Sequence, residues 1–226
     1  IMEPAALTEG HSDFSRTTIF KNDTDGLLSE ARGYKSIKGN FVHETAVVNW
    51  DNLLIGINNI IGPYACIGED AENITEKSNG IIRIGNGNVF REHSTINLPT
   101  NPSSGTIIGD RNYLMAQSHV AHDCLLEDDI VMCNQAALGG HVHVMKGAVL
   151  ALNTSVHQFQ VIGSWSMVGM NSCVTKTTTI SPGFKYIGIP ARKLCPNKLA
   201  LSRNKVDEIQ LVRENKRFEK LKNHQR

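Results

Sequence analysis

The sequence lacks several features that would place it in a common class. Its 226 residues include five cysteines but no Cys-x-x-Cys pair, no apolar run near 20 residues and no signal peptide. The cysteines are therefore interpreted as reduced packing residues in a cytoplasmic protein, and no membrane insertion is expected. A formal net charge of +1 gives no reason to expect a nucleic-acid partner.

The small net charge hides an uneven distribution. Residues 196–226 carry a net charge of +5, whereas the remainder of the chain carries −4. A basic tail beside an acidic body indicates either a solvated helix face or a surface that meets an anionic ligand.

Neither the helical period of 3.6 nor the strand period of 2 dominates the sequence, which instead repeats every six residues. Thirteen consecutive sixth positions are bulky and apolar, and these are Ile108, Leu114, Val120, Leu126, Met132, Leu138, Val144, Leu150, Val156, Ile162, Val168, Val174 and Ile180. The next position is often glycine, and the position four residues on is mostly small. These columns predict an all-β fold, a parallel β-helix built from hexapeptide repeats.

The repeats also set the expected domain boundaries. Residues 1–40 lack hexads and are expected to form an N-terminal extension, residues 41–190 the β-helix, and residues 191–226 a short C-terminal helical segment. Two interruptions, at residues 70–83 and 97–106, are expected to project as loops. Insertions in a solenoid commonly border its binding site.

If three hexads close one coil, residues 18 apart lie one above another, separated by about 4.8 Å. Three histidines, His122, His141 and His157, then share one edge of the coil. Asp123 stacks under His141, and Gly140 lies over His122. This set supplies a general base, an orienting carboxylate and a backbone N–H that can stabilise an oxyanion.

The same histidines admit two other interpretations. In the first, the histidines are solvated polar residues on the edge of the solenoid, which explains any single histidine but not a stacked group. In the second, they bind zinc, since clustered neutral imidazoles can bind this metal. Hexapeptide-repeat carbonic anhydrases use a within-chain histidine pair spaced five residues apart, whereas His119 and His122 are three apart. No metal is therefore expected.

The motifs of residues 118–144 and 155–174, which contain HVAHD, GGH and VHQF, resemble the UDP-N-acetylglucosamine O-acyltransferase family of lipid A biosynthesis. The similarity runs from Val42 to about Arg203. It implies a left-handed β-helix, assembled as a homotrimer with active sites between subunits. It further implies transfer of an acyl chain, such as a hydroxyacyl chain, from acyl carrier protein to the 3-position of a UDP-amino sugar.

The resemblance also assigns roles to individual residues. His122 is implied to be the catalytic base, Asp123 to fix its tautomer, and Gly140 to donate to the oxyanion. Met170 falls where the family sets the length of the acyl chain. The residues implied to contact substrate are His119, His141, His157, Gln158, Asn197, Arg203 and Lys77. Beyond the acyl carrier protein thioester as co-substrate, no cofactor is implied.

Some features leave the function open at this point. The C-terminal segment is shorter than the family's helical domain, and the loop that would carry Lys77 is shortened. The phrase GIPARK at residues 188–193 is common in coenzyme A-dependent sugar acetyltransferases, which are the alternative enzyme class. A non-catalytic solenoid scaffold is the alternative outside enzymes. The particular sugar, and acylation at oxygen or nitrogen, also stay open.

Overall fold

Three sheets wind around one apolar core in the computed structural model, which describes residues 30–103 and 105–224. Most of the predicted N-terminal extension, residues 1–29, lies outside the described residues. Short 3₁₀ turns at Glu30–Arg32 and Trp50–Asn52 accompany the strands.

Sheet A has ten strands: β1 (Tyr34–Ile37), β2 (Asn40–His43), β5 (Ile60–Ile61), β8 (Val89–Phe90), β11 (Tyr113–Leu114), β14 (Val131–Met132), β17 (Val149–Leu150), β20 (Met167–Val168), β22 (Phe184–Ile187) and β23 (Arg192–Pro196). Sheet B has seven: β3 (Val47–Val48), β6 (Cys66–Glu69), β9 (Thr95–Asn97), β12 (His119–Val120), β15 (Ala137–Leu138), β18 (Ser155–Val156) and β21 (Cys173–Val174). Sheet C has six: β4 (Leu53–Ile55), β7 (Ile82–Ile84), β10 (Thr106–Ile108), β13 (Leu125–Leu126), β16 (His143–Val144) and β19 (Val161–Ile162).

The strand register shows that three hexads close one coil. His119 pairs with Ala137, and Ala137 with Ser155, each step advancing 18 residues. The pairing is parallel throughout except at the two ends of sheet A, where β1–β2 and β22–β23 are antiparallel. The predicted fold class is confirmed: the chain is a left-handed parallel β-helix followed by C-terminal helices, an exception to the usual right-handed crossover.

All thirteen hexad positions from Ile108 to Ile180 point into the core, and each is at most 4% exposed. Side chains of this size stabilise the fold by about 1.5–3 kcal/mol each when fully buried. Because each coil stacks directly on the previous one, the apolar column is continuous from Val42 to Tyr186.

The turns between sheets stack into three corners. The histidine corner joins sheet B to sheet C and includes residues 121–124, 139–142 and 157–160. The asparagine corner joins sheet C to sheet A and includes residues 56–59, 85–88 and 109–112. The third corner joins sheet A to sheet B. A non-glycine residue with positive φ recurs in these turns, for example Asp123 at +59° and His141 at +60°.

Both sequence interruptions leave the coil at the histidine corner. Residues 70–81 connect β6 of sheet B to β7 of sheet C, and residues 98–105 connect β9 to β10. Since both loops emerge where the histidines lie, they border the candidate site.

A ladder of buried asparagines fills the inside of the asparagine corner. The Asn59 side chain donates to Asn40 Oδ1, and its own Oδ1 accepts from the backbone and side-chain N–H groups of Asn88. Asn88 Oδ1 accepts from the Asn112 backbone, and Asn112 Oδ1 from the backbone of Ile130. The ladder thereby pairs most of the buried polar groups of this corner, with Asn112 Nδ2 as the exception among the described residues.

Two helices, α1 (Lys198–Arg203) and α2 (Glu208–His224), follow the coil. Helix α2 lies across sheet C. Its buried Glu214 accepts from Ser164 Oγ at 2.6 Å beside the asparagine corner, and its Phe218 is buried against Met145 and Val161. Neither helix in the described part of the chain is long and apolar enough to cross a membrane.

Candidate active site

The centre of the histidine corner is a buried pair, His122 and Asp123. His122 Nδ1 lies 2.8 Å from Asp123 Oδ2, and the two side chains are 9% and 0% exposed. A carboxylate that accepts from Nδ1–H leaves Nε2 of the neutral ring as the basic nitrogen. The Nε2 atom makes no hydrogen bond to any residue that the structure describes.

Asp123 is held by the second inserted loop. Its Oδ2 accepts from the backbone N–H and the hydroxyl of Thr100, and its Oδ1 accepts from the Asn101 N–H. Burial alone would raise the pKa of Asp123, but the hydrogen bonds from His122, Thr100 and Asn101 outweigh burial and lower it. The carboxylate therefore stays ionised and aimed at His122.

Gly140 faces the free edge of His122. A Cβ atom at this position would lie 2.6 Å from both Cε1 and Nε2 of the ring, so the close approach requires glycine. Within the described residues, the Gly140 N–H makes no hydrogen bond. A basic nitrogen thus lies against a glycine whose backbone donor is unpaired among the described residues, and general base catalysis with oxyanion stabilisation uses these two groups.

His141 stands between this pair and the next coil. Its ring is perpendicular to that of His122, with centroids 5.1 Å apart, and it stacks on Phe159 at 4.5 Å. Its Nε2 is 3.9 Å from Asp123 Oδ2. Burial lowers the pKa of His141, although the Asp123 charge acts in the opposite direction.

His119 and the first inserted loop lie on the neighbouring side. His119 Nδ1 is 2.7 Å from Thr95 Oγ1 on the previous coil. Burial lowers the pKa of His119, and the charge of Glu72 partly offsets this. Lys77 belongs to the same exposed loop as Glu72, and the described contacts include no ion pair for it.

His157 and Gln158 do not contact the buried pair but line a groove next to it. His157 Nδ1 donates to the Gln158 carbonyl at 2.9 Å, and both side chains are exposed. The groove has a volume of about 770 Å³ and runs between the histidine corner and α2. Phe159, which stacks on His141, forms part of its wall.

Three predicted residues lie away from the histidines. The Asn197 side chain donates to the Trp165 carbonyl beside the asparagine corner, and Arg203 ends α1 with an exposed side chain. Met170 is 60% exposed at the third corner. A single chain therefore brings His122, Asp123, Gly140 and His141 together but does not add these three.

The same cluster has the composition of a metal site. Ligand atoms of His122, Asp123 and His141 all lie within 4.8 Å of one another. Three protein ligands are what a catalytic zinc ion takes, so the donor set fits a metal as well as a base with its orienting acid.

Sequence reasoning missed several residues around the site. Thr100 and Asn101 lie in the second interruption of the repeat, so no spacing in the sequence connects them to Asp123. Phe159 was within reach, since it lies 18 residues after His141 and stacks on it as the coil period requires.

Comparison with known proteins identifies relatives of the chain. It is 38% identical over 152 residues to the acyl-[acyl-carrier-protein]–UDP-N-acetylglucosamine O-acyltransferase of Synechocystis, covering 66% of this chain and 54% of that protein. The Gloeothece citriformis protein of the same name is 34% identical over 165 residues, covering 73% and 59%. The chain is homologous to the UDP-N-acetylglucosamine O-acyltransferases. This confirms the resemblance predicted from the motifs.

A solved UDP-N-acetylglucosamine acyltransferase, that of Bacteroides fragilis, superposes with a TM-score of 0.71 at 28% identity, covering 78% of this chain and 69% of that one. The Campylobacter jejuni acyltransferase gives 0.62 at 29% identity, with 80% and 74% covered. No family model matches the chain. The chain spans a little over half the length of the Synechocystis and Gloeothece acyltransferases.

Proposed function

We propose that the protein transfers an acyl chain, such as a hydroxyacyl chain, from acyl carrier protein to the 3-hydroxyl of UDP-N-acetylglucosamine. One observation carries the proposal: Gly140, whose N–H is unpaired among the described residues, packs directly against the Nε2 edge of His122. The names of the homologous acyltransferases supply the two substrates.

In the proposed reaction, His122 Nε2 removes the hydroxyl proton of the sugar as the oxygen attacks the thioester carbonyl. The Gly140 N–H donates to the oxyanion of the tetrahedral intermediate. Collapse of the intermediate breaks the carbon–sulfur bond, and the imidazolium returns the proton to the departing thiolate. Asp123 keeps the imidazole in the reactive tautomer and stabilises its charged form.

The remaining predicted residues are proposed to position substrate. His141 and His119 lie beside the buried pair, Lys77 belongs to the first inserted loop, and His157 and Gln158 line the adjoining groove. No resident cofactor is required by this mechanism. Met170 is proposed to limit the acyl chain, and the exposed Leu152, one coil away at the same corner, extends the apolar surface that the chain would cover.

We further propose that the protein is a homotrimer. The outward face of sheet A carries an apolar column in which Val89 is buried, and its half-buried members are Phe41, Ile60, Tyr113, Val131, Val149 and Met167. Contiguous apolar surface of this kind is commonly buried in an interface. In such a trimer, Asn197 and Arg203 of one subunit would lie beside the histidine corner of its neighbour, since within one chain they lie away from that corner.

We also propose that the protein is cytoplasmic, and its five free thiols support this location.

The decisive variant is His122→Ala. Loss of a general base typically costs about 10²–10⁴ in rate, so turnover should fall by that factor. The measurement is transfer from acyl carrier protein thioesters and, separately, from acetyl-coenzyme A to UDP-N-acetylglucosamine, with light scattering to check assembly. His93→Ala is the matched control, since His93 is an exposed histidine that stacks on Tyr64 outside the site.

Near-normal turnover in His122→Ala would contradict the proposed base. Activity with acetyl-coenzyme A alone would instead support the alternative acetyltransferase. Absence of any transfer or sugar binding by the wild-type protein would favour a scaffold. Turnover that a chelator abolishes and zinc restores would assign the cluster to a metal.

A further inference from the structure

The groove beside the histidine corner is built from two separate parts of the chain. One wall comes from turns of the coil, at residues 157–161 and 176–179, and the other from Phe218 and Lys222 of α2. Its volume of about 770 Å³ lies within the range of sites that hold a cofactor-sized ligand.

The position of α2 is fixed by an ion pair outside the groove and by an apolar contact that includes the groove wall. Arg217 forms an ion pair with Glu127, which also accepts from His143 at 2.6 Å. Buried Phe218 packs on Met145 and Val161. Because these contacts fix the helix, Lys222 in its last turn is directed to the groove rather than to an arbitrary part of the surface.

The charge of the groove is positive. Lys176 and Lys222 contribute ammonium groups, and no carboxylate belongs to the part of the groove wall that the structure describes. Lys222 Nζ is restrained at 2.7 Å from Glu219, whose carboxylate is 58% exposed outside the groove. Threonine hydroxyls and the amides of Gln158 and Gln160 supply further donors. Such a lining suits an anionic ligand with oxygen acceptors.

The groove also adjoins the proposed catalytic residues. Phe159 forms part of its wall and stacks on His141, whose ring contacts that of His122. By contrast, Asn197, another residue that the resemblance implies contacts substrate, bonds to Trp165 beside the asparagine corner. Within one chain, the groove therefore includes the predicted substrate contacts His157 and Gln158 but not Asn197.

We propose that this groove binds a phosphoryl group of a substrate, with Lys176 and Lys222 as its cationic partners. The inference rests on the proposed function, in which both substrates carry phosphate. The phosphate belongs either to the phosphopantetheine arm of the acyl donor or to the diphosphate of the nucleotide sugar. In both cases the rest of the ligand extends past Phe159 toward His122.

The test is calorimetry on the intact protein with two pairs of probes: 4′-phosphopantetheine against pantetheine, and UDP against uridine. One phosphate-bearing probe should bind about tenfold more tightly than its phosphate-free partner. In Lys176→Gln and Lys222→Gln that preference should shrink by about 3- to 10-fold, because each variant removes one charge-assisted contact. The KM of the corresponding substrate should rise by a similar factor with kcat nearly unchanged.

Lys220→Gln is the matched control, since Lys220 is exposed on the same helix and does not line the groove. The probe pair that responds identifies which substrate supplies the phosphate. Binding and KM values in both groove variants equal to those of the control would overturn the proposal. If the phosphate preference responds as expected but no acyl transfer occurs, the proposed function fails and the phosphoryl site stands.

Discussion

Two corners of the same coil use the same backbone in opposite ways. At the asparagine corner, the side chains of Asn40, Asn59 and Asn88 pair with each other and with the backbone of neighbouring coils. At the histidine corner, His122 Nε2 and the Gly140 N–H have no hydrogen-bonding partner among the described residues. The difference teaches that the repeat supplies equivalent backbone positions at each corner. The side chains at those positions decide whether the polar groups pair within the fold or stay available to a ligand.

The largest difference between the corners should appear when each receives one methyl group. In Gly140→Ala the new Cβ would meet the His122 ring at 2.6 Å, so the ring must shift and turnover should fall about 10²–10³-fold. In Gly109→Ala the Cβ would collide with Asp128 Oδ1 and lie 3.0 Å from the Glu127 backbone, so the expected loss is about 1–3 kcal/mol of stability.

Steady-state kinetics and urea unfolding of both variants measure the two effects. A folded Gly140→Ala protein with wild-type kcat would show that the close approach of Gly140 to His122 has no catalytic meaning. A Gly109→Ala variant that loses turnover without losing stability would equally remove the distinction between the corners.

The second prediction concerns the ladder itself. Asn59→Ala leaves the buried N–H groups of Asn88 and the carbonyl of Gly85 without their partner, so the free energy of unfolding should fall by about 3 kcal/mol. Turnover below the melting temperature should be unchanged. Asn134→Ala, at an exposed asparagine of the third corner, is the control and should cost little. Selective loss of kcat in Asn59→Ala would contradict a purely structural ladder.

The smallest effect should come from the ion network that holds α2 between the two corners. Burial would raise the pKa of Glu127, but hydrogen bonds from His143 and Arg217 outweigh it and lower the pKa from 4.5 to about 2. A lowered pKa stabilises the folded state above the unfolded-state value and loses that contribution as pH falls through the folded value. Such a lowering corresponds to about 3.4 kcal/mol without screening, and solvent screening of the partly exposed pair reduces the expected decrease in unfolding free energy between about pH 4.5 and pH 2 to on the order of 2 kcal/mol.

Glu127→Gln should lack this part of the pH dependence, whereas Glu219→Gln, at an exposed carboxylate of α2, should retain it. Urea titrations at several pH values provide the measurement. An identical acid slope in the wild type and Glu127→Gln would show that the α2 network does not contribute to acid stability.

The six-residue repeat of the sequence predicts those contacts that join residues one coil, or 18 positions, apart. Once β12, β15 and β18 stack 18 residues apart, the approach of Asp123 to His141 and of Gly140 to His122 follows from numbering. The same arithmetic extends to Phe159. The fold class and the centre of the candidate site therefore follow from the sequence alone.

Features that depend on insertions were not accessible in this way. The asparagine ladder advances by 19, 29 and 24 residues between members because loops interrupt the coil. Thr100 reaches Asp123 from such a loop, and no period fixes the path of its backbone. The amphipathic pattern of α2 likewise indicates an apolar face without indicating that sheet C will cover it.

The positive φ angles of Asp123 and His141 have a consequence for engineering. Glycine or asparagine occupies this backbone region at lower cost, so selection for heat resistance alone favours replacing His141. A non-glycine residue with positive φ also occurs at turns without candidate site residues, for example at Arg111 and Gln117, so a library screened only for survival on heating should exchange residues at all three corners. Under the proposed function, turnover should be lost where such an exchange falls on the histidine corner, so a parallel screen for turnover would locate the positions at which this chain gives up robustness for chemistry.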